Sequence, residues 1–199
     1  SSAASGGYKS QALTNHMLLK EVFKTGKPLI FSTGMATESE ISTSVALLKK
    51  NGANFALLHC NSTYPAPFKD INLNYLSQLK KIGGNCPIGY SGHERGISVP
   101  VAAVSLGARI VEKHFTLDKS MEGNDHKVSL MPEEFKNMVN HIREVELAMG
   151  NSGLRTISQG EMMNREVLAK SLIANKYIKK GQVILSEYIE TRSPGNGLQ

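Results

Sequence analysis

The sequence predicts an α/β fold built on a parallel sheet, and three observations carry that prediction. Short apolar runs alternate with helix-period segments from residue 12 to residue 150. The runs are continuously apolar rather than alternating, as strands covered on both faces must be. Each run also ends in a small or polar cluster that leads into a helix start, the connection a parallel sheet needs.

Taken in order, residues 13–25 carry Met17, Leu18 and Val22 at helical spacing before Gly26 stops them. Residues 27–32 form a short buried strand that ends in Thr33-Gly34. The helix over 37–50 opens with a capping box, Thr37 with Glu40, and presents Ile41, Val45 and Leu48 on one face. A strand over 54–59, a helix near 73–82 and a strand over 88–91 follow. Next come a small-residue helix over 97–106 and a strand over 109–114. The last helix starts at Pro132, a favoured first position, and turns Phe135, Val139, Ile142 and Val145 inward. Four strand–helix units are half of a (β/α)8 barrel. The pattern therefore fits either an open doubly wound sheet or a piece of a larger barrel.

Beyond Gly150 the character changes. Residues 151–163 are polar and read as linker, while 171–174 and 178–185 read as short strands around a Lys-Gly turn. The expected division is a Ser/Gly/Ala-rich lead-in (1–11), a second half-barrel (12–150), a linker (151–170) and the start of a small β-rich module (171–199).

Composition narrows the function classes. Hydrophobic content of 40% with 20% charged residues reads as a soluble globular protein. No apolar stretch approaches the ~20 residues of a membrane span, and no signal-peptide pattern opens the chain. Cys60 and Cys86 are too sparse for a disulfide framework, so a reduced, cytoplasmic setting is expected. The net charge of +6 comes from scattered Lys and Arg, with 6% aromatic residues and no Trp, which argues against nucleic-acid binding. That balance suits a small phosphorylated or carboxylated substrate instead.

The chemistry gathers at the strand ends, where ligands bind in α/β folds. Ile88-Gly89-Tyr90-Ser91-Gly92-His93 and Arg109-Ile110-Val111-Glu112-Lys113-His114 are successive strands, each ending in an imidazole. Two histidines on one rim can share a divalent ion and leave positions open for Lewis-acid activation of a carbonyl. Glu112 shares a face with His114 by strand alternation. Ser32-Thr33-Gly34 and Ser91-Gly92 place hydroxyls beside glycines, as phosphate oxygens require. His59, Asn61, Ser62 and Tyr64 fall at the same rim; Asp125 lies in a polar loop that can reach back over it. His59 is expected to be structural, and His16 and His141 to be helix-surface or packing residues.

In this order, Phe31-Ser32-Thr33-Gly34-Met35, His59-Cys60-Asn61-Ser62-Thr63-Tyr64-Pro65, the Ile88–His93 run and Glu112-Lys113-His114-Phe115-Thr116-Leu117-Asp118 resemble the sialic acid (N-acetylneuraminate) synthase family. Residues 178–197 resemble the start of that family's antifreeze-like (SAF) domain. The resemblance implies a (β/α)8 TIM barrel that condenses phosphoenolpyruvate with an N-acetylated aminohexose such as N-acetylmannosamine, releasing phosphate. It implies a divalent metal, Mn2+ or Mg2+, held by His93 and His114. It also implies that Ser32, Ser62 and Ser91 contact phosphoenolpyruvate, that Tyr64, Glu112 and Asp125 face the amino sugar, and that the enzyme is a homodimer. Two features depart from the pattern. The glutamate and lysines of the family's first four strands are absent, so this piece alone is expected to be inactive. Ser193 stands where many members have the arginine before Pro-Gly-Asn-Gly, with Arg192 one step earlier as the candidate substitute. Legionaminic or pseudaminic acid synthesis is the nearest alternative activity. A non-catalytic sugar- or partner-binding remnant is the alternative from another class.

Overall fold

The computed structural model describes residues 13–198, in two compact units that divide between Gly150 and Asn151. In the first unit α1 (His16–Phe23) precedes β1 (Leu29–Ser32), α2 (Glu38–Lys50) and β2 (Phe55–Cys60). A one-turn helix α3 (Phe68–Ile71), α4 (Tyr75–Gly83), β3 (Ile88–Gly92), α5 (Ser98–Ser105), β4 (Ile110–Lys113) and α6 (Pro132–Met149) complete it. The sheet is parallel in the order β1-β2-β3-β4. Each strand thus lies beside its predecessor, whereas a doubly wound sheet reverses direction at a switch point. With right-handed crossovers a sequential order puts every helix on one side. The sheet is therefore a curled half-barrel, and of the two architectures open to the sequence it is the barrel wall.

The two faces of the sheet follow from strand alternation. Phe31, Phe55, Leu57, Ile88 and Tyr90 turn outward and form the core with Ile41, Val45 and Leu48 of α2, Leu76 and Leu79 of α4 and Ala103 of α5. The alternate positions Ile30, Ser32, Leu58, Cys60, Ser91 and Glu112 face the concave side. Ile30, on the edge strand there, is 58% exposed, so at that edge the concave face is solvated.

Local signals hold where sequence rules are strongest. Thr37 caps α2, receiving the Glu40 N–H while the Glu40 carboxylate accepts the Thr37 N–H at 2.7 Å. The inward stripe expected on α6, Phe135, Val139, Ile142 and Val145, is only half-buried, and the one buried residue of the helix is Met138, because α6 lies over α5 rather than on the sheet.

The second unit differs from its expectation in two places. Residues 159–168 form a helix, α7 (Gln159–Leu168), inside the stretch expected to be linker, capped by Ser158 and Glu161 in a second capping box. β5 (Ser171–Ala174) pairs antiparallel with β6 (Ile189–Arg192). Residues 178–185 are irregular rather than a strand, although apolar, because the pairing partner lies further along the chain. No described helix is long and apolar enough to cross a membrane.

Candidate functional site

Parallel strands bring their C-terminal ends to one rim, and the concave parity decides which side chains enter it. His93, one residue beyond β3, and His114, one beyond β4, meet edge to face with ring centres 5.1 Å apart. The Tyr64 ring lies 4.2 Å from the His93 ring and 5.5 Å from that of His114. His93 is buried, and its Nδ1 lies 2.7 Å from the Asn61 carbonyl oxygen. That oxygen can only accept, so Nδ1 carries the proton in the neutral ring. The Nε2 lone pair then accepts the Tyr64 hydroxyl at 3.0 Å.

The loop after β4 returns beside it. Leu130 N–H donates to the His114 carbonyl and Thr116 N–H to the Leu130 carbonyl, a parallel bridge. This return brings Asp125 Oδ2 to 3.9 Å from His114 Nδ1. Ser91 and Glu112 are register partners across β3 and β4, and the Ser91 hydroxyl donates to Glu112 Oε2 at 2.5 Å. Ser62 Oγ lies 3.7 Å from Cys60 Sγ. Its hydroxyl fills the space a Cβ on Gly34 would need, 2.1 Å from that position. Ser32 Oγ accepts the Gly34 N–H at 3.4 Å.

Eight of the nine residues singled out from sequence thus line one concave rim: Ser32, Ser62, Tyr64, Ser91, His93, Glu112, His114 and Asp125. Arg192, the ninth, ends β6 in the second unit, where its Nε donates to Glu190 Oε1 at 3.0 Å. His59 is not on the rim. It has the opposite parity, lies buried against Tyr75 and Tyr90, and donates from Nε2 to the Ile71 carbonyl at 2.6 Å.

Sequence reasoning passed over Cys60, whose Sγ is 3.6 Å from His93 Nδ1. Its place at the end of β2, with the parity of Ser91, was the available signal. It also missed a fully buried ion pair behind the rim. Lys113 Nζ is 2.7 Å from Glu94 Oε1, both side chains are 0% exposed, and the Tyr90 hydroxyl donates to Glu94 Oε2 at 2.6 Å.

These surroundings set the charges. Burial, and then the negative charges at Cys60, Asp125 and Glu112, push the Tyr64 phenol up to about 12. Tyr64 is consequently a hydrogen-bond donor across the neutral range. Burial opposes a charge on His93, but its contacts with Cys60 and Asn61 outweigh that and hold its pKa above the ordinary value. Burial lowers Lys113 by more than Glu94 restores.

Burial also lowers His59 below its ordinary value, more than its bonds to the Ile71 and Asn72 backbone raise it. Below pH ~6.5 the unfolded chain therefore takes up a proton that the folded chain refuses. Relative to His59→Gln, which can still donate to Ile71, the wild type should lose stability as pH falls through that value. The slope reaches at most ~1.4 kcal/mol per pH unit and levels off below the folded-state pKa. Urea unfolding from pH 4.5 to 8 reads the difference, and parallel curves would exclude a buried neutral His59.

Comparison with known proteins identifies the family. Residues 8–153 match the NeuB family. The chain is 45% identical over 192 residues to N,N'-diacetyllegionaminic acid synthase of Campylobacter jejuni, covering 95% of this chain and 57% of that protein. It is 38% identical over 178 residues to human N-acetylneuraminate-9-phosphate synthase, covering 89% and 49%. Among solved structures, the N-acetylneuraminic acid (sialic acid) synthetase of Leptospira borgpetersenii, in complex with citrate, superposes with a TM-score of 0.71 at 37% identity, over 80% of this chain and 56% of that one. The chain spans about half the length of the curated relatives it matches. With this rim, this half-barrel and these relatives, the chain belongs to the NeuB family.

Proposed function

We propose that the protein carrying this chain is a nonulosonic acid synthase, which condenses phosphoenolpyruvate with an N-acetylated aminohexose and releases phosphate. The single observation that carries this reading is the imidazole pair on the concave rim, bordered by Ser91–Glu112 on one side and by Tyr64 and Asp125 on the other.

Of the two divalent ions expected, Mn2+ suits the nitrogen donors of that pair better than Mg2+, which takes oxygen ligands. The proton on His93 Nδ1 is held by a backbone carbonyl, the usual arrangement behind a ligating imidazole, and leaves the Nε2 lone pair toward the rim, where a bound ion would take the place of the Tyr64 hydroxyl. Among the described residues no group of three or more His, Cys, Asp or Glu is placed to hold an ion. His93 and His114 would therefore be the ligands this chain contributes. Bound there, the ion would supply Lewis-acid polarisation of a carbonyl oxygen.

The chain's own groups divide the rest of the work. Ser32 and the Gly34 backbone would receive phosphate or carboxylate oxygens of phosphoenolpyruvate, with Ser62 beside them. Tyr64, protonated, would donate to a sugar oxygen, and Asp125 would accept from a sugar hydroxyl. The bond forms between C3 of phosphoenolpyruvate and the open-chain aldehyde carbon, leaving positive character at C2. Water adds at C2, and the tetrahedral adduct expels inorganic phosphate. Glu112, oriented by the Ser91 hydroxyl, would take the proton from that water.

The legionaminic reading stands beside the sialic one, because the Campylobacter relative is the more similar of the two curated proteins (45% against 38%). Phosphate release by the assembled enzyme tests both readings. N-acetylmannosamine and a 2,4-diacetamido hexose would each be offered with phosphoenolpyruvate and Mn2+. Release with one sugar assigns the product, and none with any N-acetylated hexose removes the proposal.

A further inference from the structure

We propose that the buried Glu94–Lys113 ion pair is a positioning device that sets the separation and orientation of His93 and His114. Its two members are the chain neighbours of those histidines, Glu94 following His93 and Lys113 preceding His114. They cross from the end of β3 to the end of β4 on the helix-facing side, opposite the rim. Lys113 Nζ donates both to Glu94 Oε1, at 2.7 Å, and to the Glu94 backbone carbonyl. The lysine therefore grips the main chain at residue 94 and not only a side chain that could swing. Tyr90 holds the other carboxylate oxygen at 2.6 Å. Gly92 makes room for the arrangement: a Cβ there would lie 2.8 Å from both carboxylate oxygens. Glu94 is thus folded back under the strand end, and His93 is pinned from both sides. Lys113, Tyr90 and Gly92 fix its backbone, while Asn61 and Tyr64 fix its ring.

Core stability does not call for this pair. Two fully desolvated charges cost more than well-packed apolar side chains of the same size, so such a pair is weak evidence for stability. It supplies a fixed distance between two strand ends. An apolar contact in that place would let the two imidazoles slide by tenths of an ångström.

The consequence for a bound cation rests on the two-imidazole reading of the preceding subsection; the geometric claim does not. The test uses the 199-residue chain and the double variant Glu94→Gln/Lys113→Met, which removes both charges without stranding either. Ring-to-ring nuclear Overhauser effects measure the geometry directly, and cobalt absorption spectra on titration with Co2+ report the cation. The folded double variant is expected to lose the His93–His114 ring contact and to bind Co2+ 10- to 100-fold more weakly, as when a ligand's supporting partner is removed. A merely structural pair would lower the unfolding temperature and move neither readout. Wild-type ring contacts in the folded double variant would overturn the proposal. Should the double variant fail to fold, Tyr90→Phe decides: a weakened ring contact supports the proposal, and an unchanged one overturns it. A wild-type chain that shows the ring contact but binds no Co2+ refutes the cation reading, while the ring contacts still judge the pair.

Discussion

His93→Ala and His114→Ala are each expected to weaken Mn2+ binding by the chain at least 100-fold. The expectation is this large because the described rim offers no third His, Cys, Asp or Glu at ligand spacing to take over. Removing either imidazole leaves one neutral nitrogen, which competes poorly with water for a hard divalent ion. The acidity of His93 adds a pH signature. Its pKa is raised, so a cation must displace a proton there, and affinity should climb as pH rises through that value before levelling off. His59→Gln serves as the control, because His59 points into the helix layer and its loss should leave binding within threefold of wild type. Isothermal titration of the three variants against wild type decides it. Binding retained by either alanine variant would remove the imidazole pair from the proposed site.

The rim was legible in the sequence to the extent that period-2 parity could be counted. Parallel strand ends put Ser32, Ser91, Glu112, His93 and His114 at one rim, and alternation put Glu112 on the face of His114; register and ring contacts bring these side chains to the concave side. Asp125 was harder, since only the return of the loop to pair Leu130 with His114 brings it in. The Glu94–Lys113 pair was illegible for a physical reason. A charged residue beside a candidate ligand reads as solvated loop, and nothing local signals that Gly92 will let Glu94 turn inward. The second unit went wrong in the same way. Apolar residues 178–185 look like a strand, but pairing with β5 is a long-range choice that fell to Ile189–Arg192. The Ser158–Glu161 capping box was local and readable, and it marks the helix that the polar composition concealed.

The glycines of β3 show how a motif can be read for the wrong reason. Gly92, beside Ser91, suggests an anion cradle, whereas Gly89 lies three residues before the strand end, between β2 and β4. A Cβ there would sit 2.4 Å from the Ile110 carbonyl oxygen and 2.4 Å from Leu58 Cδ2. The leucine side chain can repack, but the carbonyl is sheet backbone in register with Gly89 itself. Relief therefore requires prising β4 away from β3 at the start of the ladder whose far end carries His93 and His114. Gly89→Ala is expected to destabilise the first unit by about 3 kcal/mol, the upper end for overpacking. Gly107→Ala separates this clash from backbone strain. Gly107 has φ +98° and nothing within 4 Å of its Cβ position, so it should cost only about 1 kcal/mol through conformation alone. Urea unfolding of the two variants gives the comparison. The close approach of β4 would be disproved if Gly89→Ala cost no more than Gly107→Ala. If instead it costs several times more, the glycine is there to let two histidine-bearing strands lie side by side.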